Sequence, residues 1–189
     1  MKKIILPAIL LAALSVLPSC SDFSAYRYRQ MYAMIQPVEN FDRYYEDRAL
    51  AFQFEITEKK VQVEITNKSE SAVEVDWPSA HFIDTSGMPH DVANMQTLFT
   101  KDTAKIKAST IEAGKTEENV IVPLDSVERL EQWTWYVKPF YNMEDDSAQL
   151  NLKKTFRIIL PVKVGDERRR YSFQFMVTNV VPYRGRTPG

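Results

Sequence analysis

The stretch Phe156-Arg157-Ile158-Ile159-Leu160-Pro161-Val162-Lys163-Val164-Gly165-Asp166-Glu167-Arg168-Arg169-Arg170-Tyr171-Ser172-Phe173-Gln174-Phe175-Met176-Val177 decides the fold. Phe156, Ile158, Leu160 and Val162 alternate with other residues before Gly165-Asp166, and Tyr171, Phe173, Phe175 and Val177 alternate after it. A hydrophobic period of two belongs to a strand with one buried face. A two-residue turn of type I′ or II′ at Gly165-Asp166 pairs Leu160 with Tyr171, Ile158 with Phe173 and Phe156 with Phe175, keeping every apolar side chain on one side.

The same period recurs upstream. Leu50, Phe52, Phe54 and Ile56 alternate, as do Val61, Val63 and Ile65, and then Val73, Val75 and Trp77. One register satisfies all three runs: Ile56 with Val61 and Phe54 with Val63, then Ile65 with Val73 and Val63 with Val75. The connectors Glu58-Lys59 and Asn67-Lys68-Ser69-Glu70-Ser71 are polar, and Asn67-Lys68-Ser69, although it matches a glycosylation acceptor, reads as a turn. Asp84-Thr85-Ser86-Gly87 predicts a further hairpin returning through His90 to Val92. Residues 93–110 show no clean period. Ala113-Gly114-Lys115 is a turn before a short strand at 119–122, closed by Pro123. Asp125 followed by Glu128 has capping-box spacing and predicts a short helix from Ser126 to Gln132. The expectation is one all-β domain, a β-sandwich of antiparallel hairpins with one short connecting helix.

The chain has 189 residues and a single cysteine. About 70% of the unfolded surface can be buried at this size, so neither metal nor disulfide is needed to complete a core. Lys2 and Lys3 precede the apolar run Ile4 to Val16, which is long enough for a secretion signal and too short to span a bilayer. The run ends in Leu17-Pro18-Ser19-Cys20, which resembles the lipobox of bacterial lipoproteins. The resemblance implies cleavage before Cys20 and a covalent lipid on its thiol; two or three acyl chains make a stable anchor where one does not. Ser21, in place of Asp, implies the outer membrane rather than the inner. Removing Lys2 and Lys3 lowers the 24 Lys+Arg to 22 against 25 Asp+Glu, a formal charge of −3, so no nucleic-acid footprint appears. The expected organisation is signal at 1–19, lipidated tether and lead-in at 20–47, sandwich at 48–181 and a disordered tail at 182–189. Tyr26-Arg27-Tyr28-Arg29 in the lead-in suits either the membrane headgroups or the edge of the domain.

The run VQVEITNKSESAVEVDWPSAHFIDTSG (61–87), followed by ILPVKVGDERRRYSFQF (159–175), resembles immunoglobulin-like domains of exported bacterial lipoproteins. That resemblance implies a fold and brings no activity.

Two residue groups are candidate ligand sites. With Phe156 and Phe173 facing inward, Arg157, Lys163, Arg168 and Arg170 face outward together, with Lys153 further along. Lys163 then opposes Arg168, and opposed like charges cost stability unless an anion or water screens them. These five are candidate anion-binding residues, for lipopolysaccharide phosphates, acidic headgroups or an acidic partner protein; a charged face guarding a hairpin against edge pairing is the plainer explanation. Trp133, Trp135, Tyr136, Phe140 and Tyr141 are the candidate aromatic platform for a sugar or other planar ligand, although such residues more often fill cores. Glu144-Asp145-Asp146 lacks the spacing of a calcium loop. His81 and His90 sit in no catalytic or zinc motif, so no metal, no cofactor beyond the lipid and no enzymatic activity are expected. The expected function is a non-catalytic binding or scaffolding module of the cell envelope, anchored to the membrane by lipid and contacting an envelope protein or an anionic or glycan ligand. The alternative is a surface adhesin or carbohydrate-binding lipoprotein.

Overall fold

The computed structural model describes residues 27–100, 106–131 and 134–183. Cys20, the signal segment, Trp133 and the chain beyond Tyr183 lie outside the described residues. Within them run β1 (Tyr28–Gln36), β2 (Tyr44–Glu46), β3 (Leu50–Ile56), β4 (Val61–Asn67), β5 (Val73–Val75), β6 (His81–Ile83), β7 (Pro89–Ala93), β8 (Ser109–Ile111), β9 (Thr116–Pro123), β10 (Val127–Glu131), β11 (Thr134–Val137), β12 (Thr155–Val164) and β13 (Glu167–Pro182).

Eleven of these strands join one antiparallel sheet in the order β1-β13-β12-β6-β7-β9-β4-β3-β2, with β5 on β12 and β8 on β5; β10 and β11 form a separate hairpin. The long sheet folds back on itself into an all-β sandwich. Phe52 and Phe54 of β3 meet Phe173 of β13 across the core, with ring centroids 4.8 and 4.7 Å apart. Tyr171 and Phe175 extend this ladder at 4.8 Å from Phe52 and 5.1 Å from Phe54. Each fully buried aromatic side chain stabilises by roughly 1.5–3 kcal/mol, so the alternation read from sequence supplies the main core. Trp77 is buried in the same core, and its indole N–H donates to Ser109 Oγ at 2.8 Å.

Both short-loop hairpins have the expected registers. Phe156 pairs with Phe175, Ile158 with Phe173 and Leu160 with Tyr171, around a turn in which Gly165 has φ 58°. Phe54 pairs with Val63 and Ile56 with Val61. The hairpin through Asp84–Gly87 also forms, with Phe82 opposite His90.

The β4–β5 pairing expected from sequence does not form. Val61 to Thr66 pair instead with Ile121 to Thr116 of β9, and Val73 and Val75 pair with Val164 and Val162 of β12. The cause lies in Asn67, whose buried carboxamide donates to Ser71 O and to Ile111 O, both at 2.8 Å, turning the chain over to the facing sheet. That burial also removes Asn67 as a glycan acceptor in the folded chain.

The expected helix from Ser126 to Gln132 is likewise absent from the described residues. A 3₁₀ turn at Leu124–Ser126 leads straight into β10, and Val127 is buried opposite Val137 of β11. Asp125 lies inside this turn, whose N-cap is Pro123, and its carboxylate faces His90 Nδ1 at 2.8 Å. The only helical segments among the described residues are 3₁₀ turns.

The sheet begins upstream of Arg48, inside the span assigned to tether and lead-in. β1 pairs with β13 from Tyr28 opposite Pro182 to Gln36 opposite Gln174, and β13 continues through Pro182, the first residue of the expected tail. Arg43 then ties the two ends of the sheet together. Its guanidinium donates to Tyr32 O at 3.0 Å, Phe54 O at 3.2 Å and Phe41 O at 2.7 Å, linking β1 to β3 so that the sandwich is nearly closed.

Candidate functional site

The antiparallel β12–β13 register sets Lys163 directly opposite Arg168, as the sequence requires. On the other side of Lys163 lies Glu74 of β5. A carboxylate thus flanks the like-charged pair, and an external anion is not required to screen it. Lys163 and Arg168 line a shallow cavity of about 250 Å³ together with Glu74, Asp76, Ser79 and Arg169. Arg170, opposite Pro161, stands beside it.

The remaining basic candidates are elsewhere. Arg157 is six residues back along β12, roughly 20 Å at strand rise. Its Nη2 lies 3.4 Å from Gln174 Oε1 and its buried Nε has no partner. Lys153, at φ 66°, sits before the start of β12. The five cations therefore form one cluster of three near the Gly165-Asp166 turn and two separate residues toward the other end.

Arg169 escaped the sequence reading. Opposite Val162, it falls on the inward side of β13, at the open end of the sandwich. There it donates to Glu167 Oε2 at 2.7 Å and lies 3.6 Å from Asp47, which also accepts from Tyr171 Oη at 2.7 Å. Partial burial opposes the Asp47 charge. Hydrogen bonds from Leu50 N, Tyr171 Oη and Ala49 N outweigh it and hold the carboxyl below the ordinary range. Burial and the bond to Asp47 push the Tyr171 hydroxyl up to about 12. The signal available in sequence was the alternation itself, which puts Arg169 in phase with Tyr171 and Phe173.

The described aromatic candidates, Trp135, Tyr136, Phe140 and Tyr141, do not share a surface. Phe140, partly buried, stacks on Phe82 at 5.2 Å and lies 5.5 Å from Phe156, packed against the core. Tyr141 is buried, with its hydroxyl 3.2 Å from Thr85 Oγ1. Trp135 packs on a minor cluster of Ala93, Val122 and Val127, 6.5 Å from the exposed Phe99. Tyr136, its neighbour on β11 and therefore on the opposite face, lies under Lys59 Nζ at 4.6 Å.

Comparison with protein-family models, with curated proteins and with solved structures finds no match.

The histidines differ in environment. His81 Nδ1 is 3.9 Å from Asp91, beyond hydrogen-bond reach. His90 is clamped, with Nδ1 2.8 Å from Asp125 and Nε2 3.3 Å from Asp84. Desolvation alone would lower its pKa, but the two carboxylates prevail and raise it. Asp84, whose partial burial is outweighed by bonds from Ser86, Met88 N and His90, is held down at about 2. Both imidazole nitrogens face carboxylates, and Ser86 Oγ donates to Asp84 rather than to the ring. The arrangement pins the ring between the β6–β7 turn and the 3₁₀ turn before β10, with a carboxylate at each nitrogen. Among the described residues no group of three or more His, Cys, Asp or Glu is arranged to hold a metal.

Proposed function

We propose that the chain is an exported lipoprotein of the cell envelope, in which an immunoglobulin-like sandwich is held to the outer membrane by lipid on Cys20 and acts as a non-catalytic binding or scaffolding module. The observation that carries this reading is positional: the lipobox Leu17-Pro18-Ser19-Cys20 stands eight residues before Tyr28, the first residue of β1. A folded domain thus follows its anchor after a short spacer. The pinned geometry of His90 supports a non-catalytic role. Of the two candidate ligand surfaces, the Lys163, Arg168 and Arg170 cluster is the better supported, because the described aromatic candidates are divided among the core and two faces of a hairpin.

Metabolic labelling with radioactive fatty acid tests the anchor. Label is expected in the wild-type chain and not in Cys20→Ala; equal labelling of both, or labelling of neither, overturns the reading. Crosslinking of the native protein in cells identifies what it captures. Replacing Arg168 and Arg170 with Ser is expected to abolish salt-sensitive retention on anionic envelope components, and unchanged retention removes the cluster as a ligand site.

A further inference from the structure

The two ends of the sandwich differ in chemistry. At one end, the turns Asp47–Arg48, Asn67–Ser71, Glu112–Lys115 and Gly165–Asp166 carry no large exposed hydrophobic residue. At the other end the chain enters, and there three large apolar side chains stand exposed among charged residues. Leu150 is 74% exposed, Leu152 46% and Met88 59%.

Hydrogen bonds place these residues beside the chain entry. Tyr28 N donates to Met143 O at 3.2 Å, and the Tyr28 hydroxyl donates to Asp146. Asp146 begins the 3₁₀ turn Asp146–Asn151 that carries Leu150, and Gln149 Nε2 lies 3.4 Å from Val180 O on β13, near the strand end that pairs with β1. Lys153 N donates to Val177 O at 2.9 Å, fixing the residues after Leu152 to the same strand. The bond between Thr85 and Tyr141 joins the Asp84–Met88 turn to this segment. Ala148 and Asn151 are buried within the 3₁₀ turn, so Leu150 is held outward by a fixed backbone.

We infer that this end of the sandwich, led by Leu150 and Leu152, rests on the surface of the same lipid bilayer that holds the anchor. The inference rests on the lipoprotein reading proposed above. Tyr28 is eight residue steps beyond Cys20, and at about 3.3–3.6 Å per step the chain between them reaches at most roughly 29 Å. So short a tether keeps the entry end beside the headgroups at high effective concentration, where even a weak contact is populated. The charges here are mixed: Arg27, Arg29, Lys153 and Lys154 stand among Glu144, Asp145 and Asp146. Burial of leucine in the interface, with the lysine stems lying along it, carries the contact, and a net positive field does not. The Lys163, Arg168 and Arg170 cluster then lies at the far end, roughly 33–40 Å from Val180 along β13 at strand rise. Its ligand is accordingly not the headgroups of the anchoring leaflet.

The test uses the lipidated protein on vesicles of phosphatidylethanolamine and phosphatidylglycerol. A polarity-sensitive fluorophore is attached through Leu150→Cys or, as the distal control, through Asp166→Cys; lipid occupies the native Cys20, so each variant has one free thiol. Both positions are exposed, so neither change disturbs the core. The expected result is a blue-shifted emission at position 150 that spin-labelled lipid quenches, with position 166 reporting water and remaining unquenched. Fatty-acid labelling of the same preparation separates the two ideas. Unlabelled protein defeats the lipoprotein reading and this inference with it, whereas labelled protein whose probe at 150 reports water and escapes quenching defeats this inference alone.

Discussion

Asn67 allows the turnover of the chain between the two sheets to be measured. Its side chain is 0% exposed and uses its full hydrogen-bonding capacity. Nδ2 donates to Ser71 O and Ile111 O at 2.8 Å each, and Oδ1 accepts from Ser69 N at 2.9 Å and Ser69 Oγ at 2.7 Å. Asn67→Ala removes four bonds. The partners on Ser69 and Ser71 lie toward solvent and rehydrate, but Ile111 O is left buried without a donor. At about 0.5–1.5 kcal/mol per bond, and 1–3 for a stranded buried group, the expected loss is about 3–4 kcal/mol, a large part of the roughly 5–15 typical of a domain. Asn67→Asp has nearly the same shape but points an acceptor at two carbonyls. Burial raises the folded-state pKa of such a carboxyl above its unfolded value of about 3.9. The native state then binds the extra proton, so stability falls as pH rises through that interval, by up to about 1.4 kcal/mol per pH unit. Urea unfolding followed by tryptophan fluorescence, at pH 4.5 and pH 7 and always against wild type, is expected to show a larger deficit for Asn67→Asp at pH 7. A loss below about 1 kcal/mol for Asn67→Ala, or equal deficits for Asn67→Asp at the two pH values, refutes the reasoning.

Phe173, packed between Phe52 and Phe54, is the centre of the aromatic ladder. Phe173→Ala is expected to cost about 3–5 kcal/mol and Phe173→Leu distinctly less; equal losses in urea unfolding would show that the ladder is not close-packed. The raised pKa of His90 contributes stability that is fully present below the ordinary value of 6.5 and is lost as pH rises through the higher folded value. The difference in melting temperature between wild type and His90→Gln is therefore expected to shrink from pH 5.5 to pH 8.5, and a constant difference argues against a protonated clamp. Arg43→Ala frees three carbonyl acceptors at the seam between β1 and β3. With hydrogen bonds to a charged donor worth about 1.5–3 kcal/mol each before rehydration, a loss of at least that size is expected, along with faster amide exchange in β1 than in β13, which mass spectrometry reads directly.

The elements legible in the sequence are those whose register a short loop fixes. Gly165-Asp166 permits one pairing of β12 with β13, and Glu58-Lys59 one of β3 with β4. β1 was not legible. Register shifts between Met31 and Tyr32 and between Met34 and Gln36 break its alternation, and Tyr32, Ala33 and Met34 are buried in succession. A bulged edge strand reads as irregular sequence for this reason. The region after Pro123 misled in the opposite way. Asp125 and Glu128 have helix-cap spacing, yet the acid that was to accept from the first-turn amides is occupied by His90, thirty-five residues away in sequence. The aromatic run from Trp135 to Tyr141 was legible as unusual, but its division between core and hairpin depends on the course of the chain, which composition does not encode.

The candidate basic site shows the same boundary between local and non-local information. The alternation in β12 and β13 is enough to oppose Lys163 and Arg168. From those two strands alone, the pair is an unscreened repulsion that calls for an anion. The third strand changes the sum. Because Asn67 sends the chain across to the facing sheet, β5 docks on β12 and brings Glu74 to the free side of Lys163. Had β5 paired with β4 as its hydrophobic period equally allows, Glu74 would stand on the opposite sheet and the repulsion would remain. Thus one buried carboxamide, through the strand order it imposes, sets the electrostatics of a surface two strands away. With Glu74 and Asp76 lining the same cavity, the cluster presents a surface of mixed charge, and a small anion would meet those carboxylates on approach.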